Sequence, residues 1–156
     1  MYQRKALSLE EARKAMEAML EVAAKDFPTF RGAYAIVDER GELICFAKQD
    51  NAAPWRTEMA IKKAYSSAQW ANSTYDIRMK AFKPEGLDIT KFNLGTKYTP
   101  IAGGVPITKP GDDVKDIWQY REVVGAIGTS VGPELEDERL GLVGVKVIQD
   151  ILWPAK

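Results

Sequence analysis

The 156-residue chain contains no histidine. That absence removes the Ser-His-Asp and Cys-His nucleophile schemes, the usual zinc sites and the commonest axial ligand of haem iron. Acid–base chemistry must then come from Asp, Glu, Lys, Tyr or water. Cysteine occurs once, at Cys45, so no internal disulfide can form, and its place in an apolar strand pattern marks it as a buried structural thiol. Net charge is also missing. Twenty-two basic residues balance 22 acidic ones, and without a basic stripe nucleic acid is disfavoured as a partner. No apolar run approaches the ~18 residues of a membrane span. The first residues pass straight into a charged helical pattern with no apolar leader, which reads as a cytoplasmic protein with no membrane partner.

What is present is the balance of one globular domain, residues 1–156, with 46% hydrophobic and 28% charged residues. Ser8-Leu9-Glu10-Glu11 is a capping box that starts a helix. Leu9, Ala12, Met16, Met19, Leu20 and Ala23 recur on one face of it until Phe27-Pro28 ends the run. Residues 33–38 and 42–48 are β-prone runs joined by a short turn, with Asp38 and Gly41 as turn formers, and predict a hairpin. After the bend at 50–54, residues 55–71 predict a second helix whose Ala60, Ala64, Ala68 and Ala71 make a narrow face for close packing on a sheet or a neighbouring subunit. Ser73 or Thr74 caps a short third helix running to Phe82. Residues 102–107 and 123–130 read as strands, and Gly132-Pro133 opens a final helix with Leu140, Val143, Val147, Ile148 and Ile151 inward. Hairpin and helices grouped in this order predict an α+β fold with helices packed on an antiparallel sheet.

Gly103-Gly104-Val105-Pro106 is a candidate ligand contact, because paired glycines let backbone approach a ligand and Pro106 stiffens the chain; a plain turn is the competing reading. Lys63, in the small-residue helix beside Lys62, is either a solvated lysine or a partly buried base or carboxylate-holding ammonium. Asp50 either caps that helix or pairs with Lys63 as an acid–base partner. Arg56, one turn in, is a candidate anion contact. The glycines of residues 125–130 do not form a phosphate loop, since the Walker lysine is missing and carboxylates at Glu134, Glu136, Asp137 and Glu138 crowd the next helix start. They read as close-packing positions, with Thr129 and Ser130 as pocket hydroxyls. Asp112-Asp113 reads as a solvated turn, so no metal site is expected. The stretch Lys91-Phe92-Asn93 with Lys97-Tyr98 either packs ordinarily, closes over a pocket or touches a second subunit.

These segments together resemble the GlcG/HbpS family, which includes the C-terminal domain of PduO-type proteins. The resemblance runs through the opening helix, Ile36-Val37-Asp38-Glu39-Arg40-Gly41, Asp50-Asn51-Ala52, Ala60-Ile61-Lys62-Lys63-Ala64, Gly103-Gly104-Val105-Pro106-Ile107 and residues 124–130, with an acidic pair near Asp137. It rests on the order and spacing of these pieces over roughly residues 7–148. Asn51 stands where a glycine is usual, and 108–122 is longer than the usual hairpin. The resemblance implies a profilin-like, five-stranded antiparallel sheet flanked by helices, assembled as a homo-oligomer. It also implies haem as a possible cofactor, although no histidine is available as its axial ligand.

The function expected from this reading is an oligomeric small-molecule-binding protein. Its ligand would be a tetrapyrrole or a small organic acid held near Gly103, Gly104, Pro106 and Lys63, in a cavity between the paired glycines and the lysine-bearing helix. The alternatives are a lyase, isomerase or hydrolase acting on a small carboxylated catabolite through Lys63 and Asp50, and a non-catalytic accessory protein.

Overall fold

The computed structural model describes residues 5–82, 97–112 and 117–156. Helix α1 (Leu9–Asp26) begins at the capping box: the Glu11 N–H donates to Ser8 Oγ at 3.2 Å and the Ser8 N–H donates to the Glu11 carboxylate at 2.8 Å. Two of the four amides left unpaired at a helix start are thereby satisfied. Its inward face is Ala12, Ala15, Met16, Met19 and Ala23. Leu9, expected on that face, is exposed in the first turn.

Strands β1 (Ala33–Asp38) and β2 (Leu43–Lys48) form the expected hairpin, with a register shift between Ile36 and Val37. Helix α2 (Trp55–Trp70) follows the bend. Asn51 there has φ 65°, a left-handed conformation that asparagine tolerates and glycine favours, which accounts for the glycine usual at this place. Ser73 caps a single turn, α3 (Thr74–Asp76), which runs on as a π-helical turn, Ile77–Phe82. Strands β3 (Gly104–Ile107) and β4 (Gly125–Ser130) and helix α4 (Glu134–Leu152) complete the described elements.

The sheet order is β2-β1-β4-β3 and every pairing is antiparallel. The α+β class read from the sequence therefore holds, with four strands among the described residues where the resemblance implies five. Pro106 lies on the edge strand β3, where a sheet tolerates the missing N–H. Residues 91–93 and 113 lie outside the described residues.

Strand alternation sorts the core into two layers. Tyr34 and Ile36 of β1 point to α1 and α4, together with Val105, Ile107 and Ile127. Ala33, Ala35 and Val37 point to α2 and meet Ala60, Ala64 and Ala68. Each large side chain buried in the first layer contributes roughly 1.5–3 kcal/mol, so that layer carries most of the stability. The alanines of the second layer contribute less, and what they set is distance. At Gly128 an added Cβ would stand 2.1 Å from the Ala60 carbonyl oxygen, so α2 rests directly on β4 backbone. Cys45 is half-buried at the edge of the first layer, and burial pushes its thiol pKa up. No helix among the described residues is long and apolar enough to cross a membrane.

Candidate functional site

Because α2 lies so close to the sheet, residues one turn along it reach the end of β4. Lys62 and Lys63 part company here. Lys62 turns outward to Glu58, 3.3 Å away, while Lys63 is 2% exposed and points between β3, β4 and α4. Its Nζ donates to the Thr129 carbonyl at 2.8 Å and to Asp137 Oδ2 at 3.1 Å. The other Asp137 oxygen, Oδ1, accepts from the Val131 N–H at 2.8 Å and the Gly132 N–H at 2.9 Å. The Thr129 hydroxyl donates to the Asp137 carbonyl. One carboxylate thus ties the end of β4, the start of α4 and α2 together.

The same carboxylate fills the loop amides ahead of α4, where a phosphate would otherwise have to bind. This agrees with the exclusion of a phosphate loop. Around the pair, Arg78 from the π-helical turn holds Glu134 through two bonds of 2.9 and 2.8 Å.

Burial is the largest influence on both members of the pair. It lowers the Lys63 pKa, against the opposing pull of Asp137 and Glu134, with nearby Arg56 adding to the lowering. It raises the Asp137 pKa, against Lys63 and the Gly132 and Val131 amides. In water the charged forms dominate by many powers of ten; here burial brings the ion pair and the neutral pair closer in energy.

Asp50 is not part of this centre. It is exposed and lines an open cleft of about 570 Å³ with Arg31, Lys48 and Gln49. The second helix is capped at Pro54 with no side-chain bond, so Asp50 neither caps α2 nor pairs with Lys63. The chain turns away at Asn51, and the carboxylate that meets the lysine comes from α4.

The paired glycines and the lysine helix do meet, and among the described residues they meet in direct contact. A Cβ on Gly104 would lie 2.4 Å from the Lys63 carbonyl oxygen, and one on Gly103, whose φ is 126°, would lie 2.8 Å from Lys63 Nζ. The Gly104 N–H is taken by Thr74 Oγ1 at 3.0 Å. The close approach that two glycines permit is therefore used by the protein's own lysine. Thr129 is fully engaged, whereas the buried Ser130 Oγ has no hydrogen-bond partner among the described residues. Arg56 is half-buried, with its guanidinium 4.5 Å from the Trp55 ring centre.

The sequence marks Asp137 as one of four carboxylates at the start of the last helix and as part of an acidic pair, and a sharper signal for it exists. It falls on the same helical stripe as Leu140, Gly141, Gly144, Val145 and Ile148, all buried. A carboxylate on the apolar side of a helix demands a buried partner. Arg78 and Glu134 carried no comparable mark.

The pattern described as "Haem degrading protein HbpS-like" matches residues 7–146. The chain belongs to the HbpS-like family. Among solved structures this HbpS-like chain is similar to a double mutant of Streptomyces reticuli HbpS, at 26% identity and a TM-score of 0.74, covering 94% of this chain and 90% of that one. A further HbpS structure is 28% identical with a TM-score of 0.71, covering 94% and 93%. The PduOC protein solved as a haem complex is 20% identical with a TM-score of 0.73, covering 92% and 95%; at that identity the likeness is one of fold. No curated protein is significantly similar to the chain.

Proposed function

We propose that this HbpS-like protein binds a small molecule, a tetrapyrrole or a small organic acid, beside the Lys63–Asp137 centre, and that it does so as a homo-oligomer. Family membership supports the binding role. The observation that carries the location is a cluster of buried polar groups at one end of the sheet, in which Lys63, Asp137, Thr129 and Ser130 are each 3% exposed or less. Within it, the Ser130 hydroxyl has unspent hydrogen-bonding capacity. Arg56 supplies a cation for a ligand carboxylate, while Gly103, Gly104 and Pro106 form the wall that seats Lys63.

The residues of this centre do not fit conventional haem ligation. Its side chains are amine, carboxylate, hydroxyl and guanidinium, with no imidazole, thiolate, thioether or phenol among them. Elsewhere, Tyr34 is buried with its OH donating to Gln49 at 3.2 Å, and burial pushes its pKa up. A tetrapyrrole would accordingly be held by its ring face and carboxylates.

Titration with haem, and in parallel with metal-free protoporphyrin, tests the tetrapyrrole half. Saturable binding of both at comparable affinity is the expected result. Absence of any Soret change and of measurable binding removes the tetrapyrrole, leaving the organic acid, which mass spectrometry of molecules released by denaturing natively purified protein would identify.

A second reading, an acid–base enzyme acting on a small carboxylated catabolite, is favoured by the opposed pKa shifts of Lys63 and Asp137. In it Asp137 takes the place of Asp50 as partner of the lysine. A pH–rate profile that keeps both limbs in the Asp137→Asn variant would remove this mechanism.

A further inference from the structure

A second cleft lies on the solvent side of α2, under the β1–β2 turn. That turn is held rigidly. Asp38 Oδ1 accepts from the N–H groups of Arg40 at 2.8 Å and Glu42 at 2.9 Å, and Gln69 Nε2 donates to the Arg40 carbonyl at 2.7 Å. Gly41, at φ 86°, sits on the Tyr65 ring so tightly that a Cβ would come within 2.6 Å of it. Tyr65 is fixed from another side by an edge-on contact with Tyr98, at 5.2 Å and 68° between ring planes.

The space between turn and helix is a half-open cleft of about 480 Å³, walled by Ile61 and Tyr65 and rimmed by the cations Arg40, Lys62 and Lys97 and the carboxylates Glu42 and Glu58. That volume falls in the range of small-molecule sites, roughly 300–1,000 Å³. The charges of the rim are unevenly spent. Lys62 is paired with Glu58, whereas neither Arg40 nor Lys97 has a carboxylate partner among the described residues. Lys97 Nζ stands 5.5 Å from the centre of the Tyr65 ring. Two cations with no carboxylate partner among the described residues therefore line a cleft with an apolar and aromatic floor, opposed by Glu42 and by the Lys62-paired Glu58.

We propose that this cleft binds a small aromatic anion, its ring against Tyr65 and Ile61 and its acid group between Arg40 and Lys97. A guanidinium and an ammonium recognise carboxylate and phosphate alike, so the shared chemistry is an anionic group on an aromatic ring. The site is independent of the Lys63–Asp137 centre, which lies on the sheet side of the same helix. Glu42 sets its selectivity by repelling ligands of higher negative charge.

The test is titration of the full isotopically labelled chain with benzoate, phenyl phosphate, benzamide and inorganic phosphate, followed by backbone amide shifts. Benzoate or phenyl phosphate should move the amides of residues 40–42, 61–65 and 97 saturably, and the better of the two identifies the acid group. Benzamide, with the ring but no charge, and inorganic phosphate, with the charge but no ring, should each bind roughly tenfold more weakly or worse. Arg40→Gln and Lys97→Gln should each weaken binding by roughly tenfold, and Glu42→Gln should tighten it. Ser130→Ala should leave it unchanged, which separates this site from the proposed one. No saturable shift at these residues, equal binding of benzamide, or indifference to both the Arg40 and Glu42 substitutions would overturn the assignment.

Discussion

Lys63 and Asp137, 74 residues apart in the chain, meet through a 3.1 Å contact between Nζ and Oδ2, with 2% and 3% of their side chains exposed. No other ion pair among the described residues lies so far from water. Desolvating such a pair costs several kcal/mol per ion, recovered only when the remaining hydrogen-bonding positions are filled. Here the Thr129 carbonyl takes a second of the three ammonium hydrogens and two loop amides satisfy Asp137 Oδ1, so the centre is a largely satisfied polar unit that locks α2, β4 and α4 to one another.

Removing the lysine alone should therefore hurt more than removing both charges. Lys63→Met leaves an unpaired buried carboxylate and should destabilise the fold by roughly 3–5 kcal/mol. The double variant Lys63→Met/Asp137→Asn should recover a large part of that, because the asparagine oxygen still accepts from Val131 and Gly132. Urea unfolding measures both. A single variant within about 1 kcal/mol of wild type would show that the pair is not closed.

The Arg78–Glu134 pair should shape the acid limb of stability. Its hydrogen bonds to Arg78 hold the Glu134 pKa below the usual 4.5. Between that lowered value and 4.5 the unfolded chain binds more protons than the folded one. The stabilisation is thus present above pH 4.5 and is lost as pH falls through the folded pKa. With the two side chains 31% and 43% exposed, solvent screening keeps the effect below about 1 kcal/mol. Glu134→Gln should flatten this part of the unfolding-versus-pH curve. Asp137, whose pKa is raised, works in the opposite sense in both proteins and drops out of the difference.

Gly128→Ala tests the seating of α2. The new methyl would stand 2.1 Å from the Ala60 carbonyl oxygen and 2.5 Å from the Ala64 nitrogen, both backbone atoms that cannot rotate away. A loss of about 1–3 kcal/mol or more is expected by calorimetry or urea unfolding. A neutral result would mean that α2 lifts off the sheet freely.

Ser130→Ala separates stability from binding. A buried hydroxyl with no partner carries a desolvation penalty, so its removal should be neutral or stabilising by up to about 1–2 kcal/mol. If Ser130 contacts the ligand of the proposed site, the same change should weaken binding of whichever small molecule native purification yields. Unchanged affinity would take Ser130 out of the site.

Local pattern by itself determined the helices, the hairpin and the antiparallel class, because capping boxes, 3.6-residue and 2-residue periods and turn residues act over a few positions. The alanine face of α2 and the glycines of β4 likewise announced close packing, on the sheet or on a neighbouring subunit, and the fold uses them for the contact of α2 with β4. Which carboxylate serves Lys63 was decided only by the tertiary structure. Asp50 is 13 residues from the lysine and Asp137 is 74, yet sheet order β2-β1-β4-β3 carries β4 and the start of α4 beneath α2. The same packing sets Lys63 directly against Gly103 and Gly104. Charge pairing depends on where strands lie in space, and a one-dimensional pattern holds that information only indirectly, as a single acid on the apolar stripe of the last helix.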